Sequence, residues 1–161
     1  MSQTTSRREL RFTDLDDVVR DAEMLLSKGY EKAGNWDLAQ VCKHLSEWMR
    51  FPVEGFPKMP LPLRPLFWIA RKTVGRKKLL EYITTGKFPA GKPTMPQTVQ
   101  QPGGDAKEAI GALRTSVERL KAFNGTIVPS PLFGAMTKDE AVRMQLVHAA
   151  HHLSFLLPKS V

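Results

Sequence analysis

Apolar residues recur at intervals of three and four along most of this chain, which is the spacing of helices that bury one face. Leu15, Val18, Val19, Ala22, Leu25 and Leu26 form the first such stripe. Thr13 and the carboxylates behind it suit a helix start, and Gly29 stands where a helix should stop. Asn35 is placed to cap a second helix running to about Arg50, closed by Phe51-Pro52. The proline-rich stretch from Val53 to Pro65 predicts a loop. A third helical stretch spans roughly Arg64 to Thr84, where Leu66, Phe67, Trp68, Ile69, Val74, Leu79 and Leu80 form its expected buried side and Gly75 marks a bend or break.

Between Gly86 and Gly104 the chain holds four prolines and four glycines, so regular structure is not expected there. A connection of that length wraps a surface, crosses between helices or covers a site. Helical spacing returns from Asp105 to Phe123 through Ala109, Ile110, Leu113, Val117 and Leu120, and Asn124-Gly125 breaks it. Ile127 to Gly134 is a connection with two prolines. Thr137 and Glu140 make a capping box for a last helix to about Phe155, ahead of Pro158. No strand pattern of comparable strength is present. The pattern predicts an all-α fold: four long helices in a bundle, one additional helical segment, and a long Pro/Gly-rich connection between core helices 2 and 3. The whole chain, 1–161, reads as one domain, which its length allows without disulfides.

Composition narrows the function classes. Apolar residues are 42% of the chain, as in globular proteins, and no apolar run approaches the ~18 residues of a membrane span. The polar N-terminus lacks the apolar stretch of a signal peptide, and the single Cys42 forms no internal disulfide; both suggest a cytoplasmic protein. Cys42, nearly opposite His44 around its helix, is expected to be an inert core thiol. The net charge of +8 is densest at Arg71, Lys72, Arg76, Lys77 and Lys78. With no zinc-finger spacing or RNA-binding signature beside it, that run reads as a solvated helix face, and neither nucleic acid nor membrane is expected as a partner.

The chemistry lies in the histidines. All four fall in two places, His44 and the group His148, His151 and His152. His148 and His152 stand one turn apart on one helix face, a spacing that lets both hold one metal ion. A third ligand must come from another helix, and His44 is the histidine left. Three neutral imidazoles suit Zn(II), Ni(II) or Fe(II) and leave positions open for water or substrate. His151 is able to replace His152 in the site, but a role beside the site or facing substrate is preferred for it. Asp37 and Gln40 share the face of His44 and are candidates to orient its ring from behind. As a helix-start carboxylate, Asp37 is equally explicable as a dipole partner. No glutamate follows the first histidine of the last helix, which excludes the zinc-protease pattern. The paired Glu-x-x-His of di-iron bundles is also absent.

The run Gly34-Asn35-Trp36-Asp37-Leu38-Ala39-Gln40 leading to His44-Leu45, together with the segment from His148 through His151-His152-Leu153 to Leu156, resembles the DinB/YfiT-like superfamily, nearest to one of its uncharacterised branches. The resemblance extends from about Arg8 to Pro158. It implies a four-helix bundle with a metal on His44, His148 and His152, the trio that spacing also selects. It further implies either a metal-dependent hydrolase or a transferase using a low-molecular-weight thiol such as bacillithiol or mycothiol, acting on a small molecule, and a homodimer. Ser130 departs from the pattern, standing where this branch carries a histidine before the proline. From a different class, the alternative is a non-catalytic helical binding or stress-related module with a structural or vestigial metal site.

Overall fold

The computed structural model describes residues 7–91 and 94–160. The fold is helical: α1 (Leu15–Lys28), α2 (Leu38–Glu54), α3 (Arg64–Ala70), α4 (Arg76–Thr85), α5 (Ala106–Ala122) and α6 (Lys138–Leu153). Two three-residue strands, β1 (Tyr30–Lys32) and β2 (Leu156–Pro158), pair antiparallel with Glu31 opposite Leu157. Among the described residues, no helix is long and apolar enough to cross a membrane.

Helices α1, α2, α5 and α6 enclose the main core. Leu15, Val18, Ala22 and Leu25 of α1 meet Leu38, Leu45 and Met49 of α2, Leu113, Val117 and Leu120 of α5, and Leu146, Ala149 and Leu153 of α6. Those of α1 and α5 belong to the predicted stripes, except that Leu26 of the first stripe is 43% exposed. A polar pair also ties α2 to α5: the Ser46 and Ser116 hydroxyls stand 2.8 Å apart, and Ser46 Oγ donates to the Ala112 carbonyl at 3.2 Å. Each of these buried hydroxyls thus keeps a partner.

Helix ends correct several expectations. Asp14, not Thr13, caps α1, and its side chain accepts from the Asp16 amide at 2.7 Å. Asp37, not Asn35, caps α2: its Oδ1 accepts from the Gln40 amide at 2.8 Å, and Gln40 Oε1 accepts from the Asp37 amide at 3.0 Å. A carboxylate with a glutamine three residues on forms a reciprocal box that the lone amide of Asn35 does not match. Nor does α2 stop before Pro52. It runs on to Glu54, because a proline one turn from the C-terminus forfeits a single amide bond, and the Gly55 amide closes the end on the Phe51 carbonyl at 2.9 Å. Gly29 ends α1 as expected, with a positive φ of 73°.

The third helical stretch departs most. It divides into α3 and α4 around a wide π turn, Arg71–Gly75. Its expected apolar face is largely turned outward: Leu66, Trp68, Ile69, Val74 and Leu80 are exposed, and α3 has no buried residue. Of that face Leu79 is buried as expected, joined by Gly75 of the π turn and by Tyr82 and Ile83, since this side of α4 lies against α6. Gly75 is required by close approach. A Cβ there would stand 2.1 Å from the Leu132 carbonyl oxygen, so bulk is excluded where the π turn meets the 130–134 turn.

Helix α6 ends at Leu153 rather than Phe155, because the chain leaves it to pair with β1. From Met144 to Ala150 every residue is buried, which a helix packed on one side only cannot achieve. One side of α6 faces the main core, and the other meets Leu79, Tyr82 and Ile83 through Met144 and Val147. Arg8 fixes the end of this helix, with a two-pronged pair to Asp21 of α1 at 2.8 and 2.7 Å and a further bond to the Leu153 carbonyl at 3.1 Å.

Candidate metal centre

His148 and His152 project from successive turns of α6 toward His44 on α2, and the rings meet at their Nε2 atoms. Nε2 of His148 is 3.3 Å from that of His44 and 3.0 Å from that of His152. One ligand nitrogen from each of the three rings lies within 4.8 Å of the other two. Two nitrogens bound tetrahedrally to one ion at ~2.0–2.1 Å stand ~3.3 Å apart, so this arrangement needs little adjustment to hold a metal.

Proton counting points the same way. His44 Nδ1 lies 3.0 Å from the Thr98 carbonyl, which only accepts, so Nδ1 carries the proton and Nε2 presents a lone pair. His148 Nε2 then faces two other ring nitrogens with at most one proton to give. Two close N···N contacts converging on one atom are not both satisfied as hydrogen bonds among neutral rings. A divalent cation among them would satisfy all three lone pairs.

Burial keeps the rings neutral. It lowers His44 to about 4, with the Thr98 bond opposing. It lowers His152 to about 2, assisted by His44 and His151, and pushes His148 well below the usual imidazole range, assisted by His152, His44 and His151. Neutral imidazole is the form that ligates metals.

Aromatic rings hold the trio in place. Trp36 stacks on His152 with centroids 5.3 Å apart and planes 8° from parallel, and it meets His44 edge-on at 5.0 Å. Trp48 meets His148 edge-on at 4.9 Å. These tryptophans are parts of the site that sequence reasoning missed as such; the α2 stripe, with Trp48 one turn after His44, was the available signal.

His151 is not in the trio. It is half-buried on the wall of the adjoining chamber, against Phe88 at 5.2 Å and Phe155 at 5.4 Å, and its Nδ1 is buried without a partner. Burial, and then Arg7, lower it to about 4, against a hydrogen bond with the Phe88 backbone.

The side-chain hydrogen bonds of Asp37 and Gln40 go elsewhere than to His44, contrary to the expectation that one of them orients its ring. That task falls to the Thr98 carbonyl, in a short 3-10 turn, Pro96–Thr98, within the Pro/Gly-rich connection. Asp37 and Gln40 fasten that connection instead. Gln40 Nε2 donates to the Gln100 carbonyl at 2.8 Å, and the Gly103 amide donates to Asp37 Oδ2 at 3.0 Å. Both bonds fasten the strap that carries the Thr98 carbonyl. Cys42 is fully buried, and desolvation raises its thiol to about 12, as expected of an inert core residue.

The trio lines a chamber of about 250 Å³. Trp48, Phe56, Phe67, Tyr82, Phe88 and Phe133 line it, together with methionines. Ser130, the departure from the expected histidine, lines it too. Its buried Oγ accepts from the amides of Leu132 and Phe133, both at 3.2 Å, and its backbone pairs with Gly134 in both directions at 2.9 Å. A serine thus builds a self-contained turn in the wall.

The fold and the site define a helical-bundle protein whose buried histidine trio is suited to a metal ion. The chain belongs to the family described as "Protein of unknown function (DUF1569)", whose model matches residues 4–159. No curated protein and no solved structure matches it.

Proposed function

We propose that this protein is a divalent-metal-dependent enzyme in which His44, His148 and His152 hold the ion, zinc, nickel or iron(II), and a small molecule reacts in the adjoining chamber. The observation that carries this reading is the convergence of three Nε2 atoms, two of them on buried rings, in the lining of an aromatic chamber. A structural site would be closed by a fourth protein ligand. Among the described residues no fourth His, Cys, Asp or Glu joins the trio, which favours a site open to substrate. The resemblance to the DinB/YfiT-like superfamily supports the same trio.

When bound, such an ion supplies Lewis acidity, polarising an oxygen and making water or a thiol nucleophilic at neutral pH. The chain's own residues do the rest. Thr98 fixes the tautomer of His44, Trp36 and Trp48 hold the rings, and the aromatic wall excludes bulk water. His151, on that wall, faces substrate. Hydrolysis is the reading the chamber favours over thiol transfer. Among the described lining residues there is no Lys or Arg to receive the carboxylates of a thiol such as bacillithiol or mycothiol.

Elemental analysis of protein purified without an affinity tag, beside the His44→Ala/His148→Ala/His152→Ala variant, tests the site. Near-stoichiometric metal in the parent and none in the variant is expected. A parent that is empty and takes up no metal on titration overturns the proposal.

A further inference from the structure

Residues that line the chamber carry polar groups whose hydrogen-bonding capacity neither the bundle nor the histidine trio fills. Gln145 lies on α6 one turn before His148 and is 5% exposed. It lines the chamber, and its Oε1 is buried with no partner. Trp48 also lines the chamber, and its Nε1 is likewise buried with no partner. Ser130 adds a third group. Both lone pairs of its hydroxyl are taken by the Leu132 and Phe133 amides, which leaves its proton to give. Buried polar atoms without partners cost stability, so they mark places where a ligand restores what folding left unpaired.

Resting on the metalloenzyme reading, we infer that the chamber selects a small, uncharged, largely apolar substrate whose neutral polar group donates to Gln145 and accepts from Trp48. A carboxamide is the plainest such group. It carries an N–H for the Gln145 oxygen and a carbonyl for the indole N–H, while the aromatic wall takes an apolar body. A carboxylate is the wrong head, because it only accepts, leaves Gln145 Oε1 unpaired, and brings a charge into a wall with no described Lys or Arg. A hydrocarbon fits the wall but leaves both polar atoms bare. Specificity of this kind is stringent, because a site built to hydrogen-bond its ligand rejects the analogue that lacks the group.

Benzamide, benzoate and toluene are the probes, titrated by ligand-observed NMR into the protein as purified and after chelation. Chelation separates the chamber from any attraction of benzoate to the metal. Saturable benzamide binding is expected in both forms, with benzoate at least roughly tenfold weaker in the chelated one. Gln145→Leu should weaken benzamide roughly tenfold, and Trp48→Phe should do so independently while keeping an aromatic wall. Toluene affinity should change by less than about threefold in Gln145→Leu, which shows the chamber intact. Equal binding of benzamide and benzoate after chelation, or unchanged benzamide affinity in both variants, overturns the inference. Metal analysis of the same samples keeps the two readings apart. Metal without benzamide binding sinks the ligand class alone, whereas benzamide binding without metal leaves that class standing and removes the enzyme.

Discussion

His44 Nδ1 donates to the backbone carbonyl of Thr98 at 3.0 Å, across 54 positions of sequence. The bond makes the Pro/Gly-rich connection part of the site, since it decides which nitrogen of His44 faces the other two rings. Partners of this kind commonly change metal affinity about 10–100-fold when lost. Thr98 contributes a backbone atom, so the strap is better released at its anchors. Gln40→Leu removes the bond to Gln100 and opens the α2 capping box. Zinc affinity, measured by competition with a chromophoric chelator, should fall about tenfold while all three histidines remain. Unchanged affinity would show that the strap does not position His44.

Gly75 is predicted to tolerate no side chain. Its ideal Cβ position lies 2.1 Å from the Leu132 carbonyl oxygen, a backbone atom that moves only if the 130–134 turn moves. Overpacking of this sort costs about 1–3 kcal/mol. Gly75→Ala should therefore lower the melting temperature by several degrees. Gly111→Ala, with nothing within 4 Å of its added Cβ and a helical backbone, should be neutral or stabilising. Equal effects of the two substitutions would contradict the close approach.

Part of the site was legible in the sequence. His148 and His152 were legible because a helix converts a spacing of four into a shared face, and His44 followed because helices of a bundle pack face to face. The core stripes of α1 and α5 were legible for the same reason. Thr98 was not, since a backbone carbonyl in a connection has no side-chain signature. Nor was the outward turn of Leu66, Trp68 and Ile69. Helical spacing shows which residues share a face but not whether a neighbour covers it. The strands β1 and β2 are three residues each and too short to establish an alternating pattern. Asn35 misled because it is a favoured cap type two positions too early, and reciprocity with Gln40 is what selected Asp37.

Cys42 should be unreactive in the folded protein. It is fully buried in the main core, and desolvation pushes its thiol up to about 12, so the nucleophilic thiolate is scarce at neutral pH. An aromatic disulfide reagent should label no thiol under native conditions and one thiol per chain after denaturation. Rapid native labelling would mean that the core opens at α2, and it would restore Cys42 as a reactive group.

Glu140 joins the helix that carries the histidines to the chamber wall, and this link should depend on pH. Its Oε2 accepts from the Thr137 amide at 3.0 Å and from Arg76 Nη1 at 2.8 Å, while Oε1 accepts from Arg76 Nη2 at 2.5 Å, joining α6 to α4. The Arg76 bonds, then the Thr137 amide, hold the carboxyl below its ordinary value of 4.5 against a small opposing effect of burial. A carboxyl with a depressed folded value binds its proton more readily when unfolded. Its stabilisation is therefore present above the ordinary value and is lost as pH falls through the folded one. Glu140→Gln keeps a capping-box acceptor but loses the ion pair. Because Arg76 is largely exposed, the variant should melt only roughly 1–3 °C below the parent at pH 7. That gap should narrow in high salt and close as pH falls through the carboxyl's depressed folded value, where the parent's carboxyl also becomes neutral. A gap that persists in acid would assign the effect to packing of the side chain rather than to its charge.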